Sequence, residues 1–307
     1  QWQKRLAYAN AGEAASISID SSDNIYLCGD LNIGSSYQLA IAKYNTAGTI
    51  QWDKTLGDSG TEAGTGIATD SAGNFWVTGF DASTTEYDIM VVKYNSSGTV
   101  QVQRRLSGSS SDFGRGVATD SNNNVYVIGE TYSDGAGSGD FIIAKYNSSG
   151  TIQWQRNLGN NQSQEGLAIA TDSNDNVYVT GGSDGAMLIA KYNSSGTIQW
   201  QRTFSFYQAL ARGIHLDSND ILYVIGEGTT LEKNQMLFKI PSDGSLTDSY
   251  TLDGATITYA ASSLTDQVAA LTASTTSWSG QTQSRTNNNP SLTDQTSSLT
   301  EHFAGIG

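Results

Sequence analysis

Asp120-Ser121-Asn122-Asn123-Asn124-Val125-Tyr126-Val127-Ile128-Gly129, followed by Phe141-Ile142-Ile143-Ala144-Lys145-Tyr146-Asn147-Ser148-Ser149-Gly150-Thr151-Ile152-Gln153-Trp154-Gln155-Arg156, decides the fold. Val125–Gly129 and Phe141–Tyr146 are β-branched and aromatic, as buried strands are. Between Phe141–Tyr146 and Thr151–Arg156 lies a Gly-containing turn, and in Thr151–Arg156 apolar and polar residues alternate as in a half-exposed edge strand. Gly116-Val117-Ala118-Thr119-Asp120, just before them, supplies the first, small-residued strand of the unit. Four strands joined by tight turns form one unit.

The unit recurs. Lys43-Tyr44-Asn45, Lys93-Tyr94-Asn95, Lys145-Tyr146-Asn147 and Lys191-Tyr192-Asn193 follow one another at intervals of 50, 52 and 46 residues, and Lys239 continues the series after 48. A period near 50 with four strands per unit points to an all-β β-propeller of four-stranded antiparallel blades. Gly66, Gly116, Ala168 and Gly213 put small residues in the first strand of successive units, as expected where inner strands crowd an axis. The fourth strand is then the outer edge. Gln1–Leu6 reads as an outer strand with no blade of its own, expected to close the ring by completing the last blade. Ala255–Tyr259 and Gln267–Ala273 read as the first two strands of a degenerate sixth blade, and Ser297–Phe303 as a weaker third. Residues 1–307 are therefore expected to be one domain, with clear repeats over 1–252, a decayed blade over 253–307, and a Ser/Thr-rich insertion or tail at Thr275–Thr296. Gln1 opens the chain in mid-repeat without Met, so processing or a longer parent polypeptide is expected.

Composition narrows the partners. Asp and Glu number 30 against 16 Lys and Arg, a net charge of −14 that repels nucleic-acid phosphates and anionic lipid. Nucleic-acid binding and membrane insertion are not expected. No apolar run approaches the length of a helical membrane span, and no basic-then-apolar leader opens the chain. The single Cys28 excludes an internal disulfide framework and reads as a core filler, in a position held elsewhere by Thr78, Ile128, Thr180 and Ile225. His215 and His302, the two histidines, form neither a repeated metal site nor a Ser-His-acid set. No cofactor and no catalytic residue is expected.

Loops sort by end. One end carries near-identical short turns, Asp20–Asn24, Asp70–Asn74, Asp120–Asn124 and Asp172–Asn176, with the Asn-Ser-Ser-Gly turns. The other carries segments that vary in length and chemistry: Asp30–Gln38, Phe80–Asp88, Glu130–Asp140, Gly182–Ala186, Glu227–Gln235 and the inter-blade loops Ser107–Phe113 and Ser205–Leu210. Recognition resides on loops held by a rigid scaffold. Tyr37, Phe80, Tyr87, Tyr132, Asp134, Asp140, Tyr207 and Lys233 are the candidate binding residues of that face, and Arg115, Arg212 and His215 candidate channel residues, with surface or inter-blade bonding the alternative for the arginines.

Other patterns have two readings. Asp120, Asn122 and Asn124 have the alternate-oxygen spacing of a calcium loop but lack its sixth-place Gly and twelfth-place acid, and hairpin-turn chemistry accounts for them. Asn95, Asn147, Asn161 and Asn193 fit the N-glycosylation acceptor pattern, and turn chemistry also explains the three that lie in repeat turns. Trp52, Trp154 and Trp200, with Trp2 at the equivalent place, suit blade-to-blade packing or a ligand platform. Acidic pairs on the variable face leave a glycan-active enzyme open as a rival reading.

The segments Asp120–Gly129 and Ile143–Arg156 resemble the bacterial SBBP-type β-propeller repeat, over roughly residues 1–250, and are similar to propeller repeats in virion proteins of marine phages, tail fibres and appendages included. The resemblance implies a non-enzymatic structural or appendage protein of a virion that attaches to host-surface glycan or protein, or else a secreted or cell-surface adhesion module of a bacterium. It also implies an extracellular or virion location, with other assembly proteins or further copies of the chain as partners. It carries over no catalytic residues.

Overall fold

The structure is a computed structural model that describes residues 5–7, 12–57, 60–82, 85–135, 138–205, 207–229, 233–245, 248–252, 255–262, 264–268, 272–275, 279–282 and 286–288. Every regular element in them is a β-strand. Four antiparallel four-stranded blades follow the repeat: Gly12–Ile19 to Ile50–Gly57, Glu62–Thr69 to Val100–Ser107, Asp112–Thr119 to Ile152–Gly159, and Gln164–Thr171 to Ile198–Ser205. A fifth unit supplies three strands, Tyr207–Leu216, Leu222–Thr229 and Lys233–Ile240. The first strand of each unit packs against the first strand of the next, and no comparable packing among the described residues joins the fifth unit to the first.

Turn chemistry explains why these residues stop where they do. Asp120 Oδ1 accepts from the backbone N–H of Asn122 and Asn124 at 3.0 and 2.8 Å, and Oδ2 from Asn124 Nδ2 and Tyr126 OH at 2.8 and 3.0 Å. Asn123 takes φ 61°, a left-handed conformation that Asn tolerates. The calcium-like oxygens are thus engaged in the hairpin itself, and Asp172 repeats the pattern.

The core lies between blades. Tyr126, Ile128, Phe141 and Ile143 on the third blade interleave with Val177, Val179, Leu188 and Tyr192 on the fourth, all fully buried. Burying such side chains contributes on the order of 1.5–3 kcal/mol each. Inner strands approach closely enough that a Cβ on Gly66 would lie 3.2 Å from Gly116 Cα and from Arg115 O. Thr69, Thr119 and Thr171 donate their hydroxyls to the carbonyls of Ile19, Thr69 and Thr119, stitching each inner strand to the one before.

The tryptophans resolve in favour of packing. Trp154 stacks on Tyr192 of the next blade and donates Nε1–H to Ser194 O, while Arg156 Nε donates to Gly196 O at 2.7 Å. Cys28 is buried as core filler, with its thiol pushed up to about 12 by burial.

The described C-terminal strands join outer edges of the clear blades rather than one another's sheet as a sixth blade. Ala255–Ala261 adds an edge strand to the fourth blade, Thr265–Val268 to the third, Thr272–Thr275 to the second and Ser279–Thr282 to the first. Thr286–Asn288 pairs with Arg5–Ala7, and Asp248–Leu252 pairs with Ala255–Ala261 rather than with its own unit. The physical reason is edge chemistry: each outer strand leaves a row of unpaired N–H and C=O groups, and Thr272–Thr275 and Ser279–Thr282, with no large apolar side chain, satisfy them more readily than they build a buried face. Ser297–Phe303 and Trp2 lie outside the described residues.

Candidate functional site

The strand order places the variable loops at one end, where the first strands begin and the second strands finish. There, across the junction of the second and third blades, four aromatic side chains meet. Phe80 and Tyr87 make an edge contact at 5.4 Å, and Phe113 lies 5.6 Å from Phe80 and 5.1 Å from Tyr87. Tyr132 stands edge-on to Phe113 at 6.4 Å. Tyr87 and Tyr132 are 39 % and 46 % exposed, so this cluster offers ring surface to solvent where the equivalent tyrosines of the blade cores do not.

Charge frames it. Arg115 lies over the Phe113 ring at 5.2 Å and pairs with Glu130, whose other oxygen accepts from Tyr132 OH at 3.4 Å. Arg212 pairs with Glu227 at 2.7 Å two units further round. Burial, and then the nearby Glu130 carboxylate, raise the Glu165 carboxyl above its ordinary value, while Arg212 and Arg115 oppose the rise. Burial and Glu130 likewise raise Tyr132, which keeps its hydroxyl protonated and able to donate.

Loop bonds hold the wall in place. Asp112 accepts from Thr131 and Ser133 at 2.5 and 2.8 Å, and its own N–H donates to Tyr87 O at 2.6 Å. Ser111 Oγ donates to Glu86 at 2.9 Å. These tie the loop bearing Tyr87 to the strand bearing Phe113 and to the loop bearing Tyr132.

Of the sequence candidates, Phe80, Tyr87, Tyr132 and Arg115 come together. Tyr37 is exposed on the first blade, outside these ring contacts. Asp134 accepts from the adjacent Gly135 N–H. Asp140, expected on the exposed face, is instead 1 % exposed, wedged where a Cβ on Gly135 or Gly159 would collide with its carboxylate. His215 is exposed on the same inner strand as Arg212, three residues beyond it and opposite Tyr223. Tyr207 and Lys233 begin strands, but their side chains fall outside the described residues. Phe113, Glu130 and Glu165 were not singled out. A β-bulge between Gly114 and Gly116 takes Arg115 out of simple alternation, and the fold brings its guanidinium over Phe113. Among the described residues no three His, Cys, Asp or Glu side chains are grouped to hold a metal ion.

A beta-propeller repeat model, SBBP, matches residues 104–135. That stretch of the third repeat is thus similar to the SBBP β-propeller repeat. A second model, the beta-propeller domain of unknown function DUF5122, matches residues 121–152, so the SBBP match and this one overlap on the third blade. No curated protein matches the chain. Among solved structures, a protein of unknown function from Dyadobacter fermentans is 9 % identical with a TM-score of 0.51, over 77 % of this chain and 82 % of that one. A glucose dehydrogenase is 12 % identical with a TM-score of 0.50, over 77 % and 85 %. A virginiamycin B lyase from Staphylococcus aureus is 14 % identical with a TM-score of 0.49, over 84 % and 95 %. At these identities the likeness to the Dyadobacter protein and the glucose dehydrogenase is one of fold alone.

Proposed function

We propose that this SBBP propeller is a non-enzymatic attachment module that binds saccharide through its variable-loop face, displayed outside a cell on a virion appendage or a bacterial surface. The observation that carries the reading is the Phe80, Tyr87, Phe113 and Tyr132 wall, part exposed and framed by Arg115 and Glu130. A pyranose has an apolar face that suits aromatic rings and a hydroxyl rim that suits bidentate and charge-assisted hydrogen bonds. A rigid scaffold holding such groups needs little ordering on binding. The net charge of −14 favours neutral or cationic glycans over sulfated or phosphorylated ones.

The test is binding of the labelled chain to a panel of immobilised bacterial glycans, beside Tyr87→Ala and Tyr132→Ala. Saturable binding to a subset, weakened roughly tenfold by either substitution, supports the reading, about 1.4 kcal/mol per lost ring contact. Absence of binding by the folded chain, or turnover of a glycan, overturns it.

A further inference from the structure

The strands that cap the blades are set at a fixed spacing. Thr258, Thr265, Thr272, Ser279 and Thr286 stand opposite Ser205, Gly159, Ser107, Gly57 and Ala7, the last residues of their partner strands. Each follows the one before by seven residues. The sequence carries the same period: Thr258-Tyr259-Ala260-Ala261-Ser262-Ser263-Leu264 leads into Thr265-Asp266-Gln267-Val268-Ala269-Ala270-Leu271 and then Thr272-Ala273-Ser274-Thr275-Thr276-Ser277-Trp278, each with a hydroxyl in first place and a large apolar residue in seventh. In the first of these repeats Tyr259 lies 4.5 Å from the Phe204 ring, and Leu264 is buried in the core shared by the third and fourth blades, its carbonyl accepting from Gln201 Nε2 at 2.8 Å. One repeat therefore serves one blade.

The outer strands need such a cap. An unpaired edge is a template for another strand, and an outward charge is the usual guard. The capped segments Lys54–Gly57, Arg104–Ser107, Arg156–Gly159 and Arg202–Ser205 each open with a basic residue, but Lys54, Arg104, Arg156 and Arg202 donate to the carbonyls of Gly98, Gly150, Gly196 and Gly244 in the next unit. Arg105 pairs with Asp81 and Asp88 of its own blade. These charges are committed to the fold and leave the edge unguarded.

The caps also discriminate little by side chain. The four edges share one pattern, basic residue, variable residue, Leu or Phe, then Gly or Ser, yet they accept Ser279–Thr282, Thr272–Thr275, Thr265–Val268 and Thr258–Ala261, which differ at most places. Backbone pairing dominates, so another strand can compete for the same edge. Each further copy of the chain brings the same edges, and two copies of one edge pair antiparallel about a two-fold axis. We propose that the seven-residue repeat is a strap that keeps the outer edges of the blades from pairing with a second copy of the chain, and that these edges become a self-association surface when the strap is off them.

Proline at two successive strap positions removes an N–H directed at the outer strand, whichever of the two supplies it. In the full chain, Asp266→Pro/Gln267→Pro/Ala273→Pro/Ser274→Pro is expected to sediment as a larger species than the unsubstituted chain, increasingly so as concentration rises. On dilution, amides of residues 104–107 and 156–159 are expected to exchange about tenfold faster than in the unsubstituted chain, while those of residues 125–131 stay slow. Faster edge exchange without association at any concentration overturns the proposal, as does unchanged edge exchange. Because the proline variant can fail to fold, a cysteine pair, with Cys28 left in place, provides a second readout. Facing residues of an antiparallel pair lie within disulfide reach, so Ser107→Cys/Thr272→Cys is expected to form its disulfide within one molecule under mild oxidation and to sediment as the unsubstituted chain does. A disulfide found only between molecules, or none, overturns it.

Discussion

Replacing Asp120 by alanine removes an acceptor of four hydrogen bonds in one step. Two come from the N–H groups of Asn122 and Asn124 in a turn that solvent reaches, so their loss costs little. Tyr126 OH and Lys145 Nζ are different. Tyr126 is fully buried and donates to Asp120 at 3.0 Å, and the Lys145 ammonium, 3.6 Å away, sits on a side chain 10 % exposed. Leaving a buried hydroxyl without a partner costs about 1–3 kcal/mol, and uncoupling a largely buried lysine costs about as much again, so the sum is about 2–6 kcal/mol. Equilibrium unfolding in urea is the assay, read as a lowered midpoint at unchanged slope. Asp20→Ala is the internal comparison, because Asp20 makes the same turn bonds in a half-buried setting at the open end of the array. Its cost is expected to be about half. A loss under about 1 kcal/mol for Asp120→Ala, or an equal loss at both positions, refutes the reasoning that burial sets the cost of this turn.

Gly196 has φ 76°, and a Cβ there would lie 2.6 Å from the Trp154 ring, so Gly196→Ala is expected to destabilise by about 2 kcal/mol in the same assay; Gly34→Ala, at φ 72° with open space around it, by about 1 kcal/mol. Asp88 is pushed up to about 6, chiefly by burial, with Arg105 opposing and Asp112, Asp81 and Glu86 adding to the rise. Its contribution to stability is therefore full below about pH 4, the carboxylate's ordinary range, and is lost as pH rises through about 6; Asp88→Asn should flatten that part of the stability profile measured by urea unfolding from pH 4 to 7. The Cys28 thiol, buried and pushed up to about 12, is expected to resist alkylation at pH 8 in the folded chain and to react fully in denaturant, followed by mass spectrometry.

The blade architecture was legible because period and pattern agree: strands such as Val125–Thr131 are β-branched on both faces, and the Asp, Asn and Gly of each turn have one conformational use apiece. The C-terminal strands were not. Ala255–Tyr259 and Gln267–Ala273 read as the first two strands of one blade, whereas Ala255–Ala261 pairs with the fourth blade, Thr265–Val268 with the third and Thr272–Thr275 with the second; such segments have too little apolar alternation to say which sheet they join. The site was half legible. Loop aromatics such as Tyr87 and Tyr132 stand out by chemistry and position, whereas Asp140 looked equally exposed in sequence and is held under two glycines by tertiary packing. Phe113 was hidden by its place at a loop-to-strand boundary, where facing direction depends on the register that the fold supplies.

Diffraction from crystals soaked with the oligosaccharide that best retains the chain tests the central claim most directly. The expected result is a sugar ring seated against Tyr87 and Tyr132, with hydroxyls on Arg115 and Glu130. A ligand bound at the short-turn end, or on the outer strands away from these rings, contradicts the account.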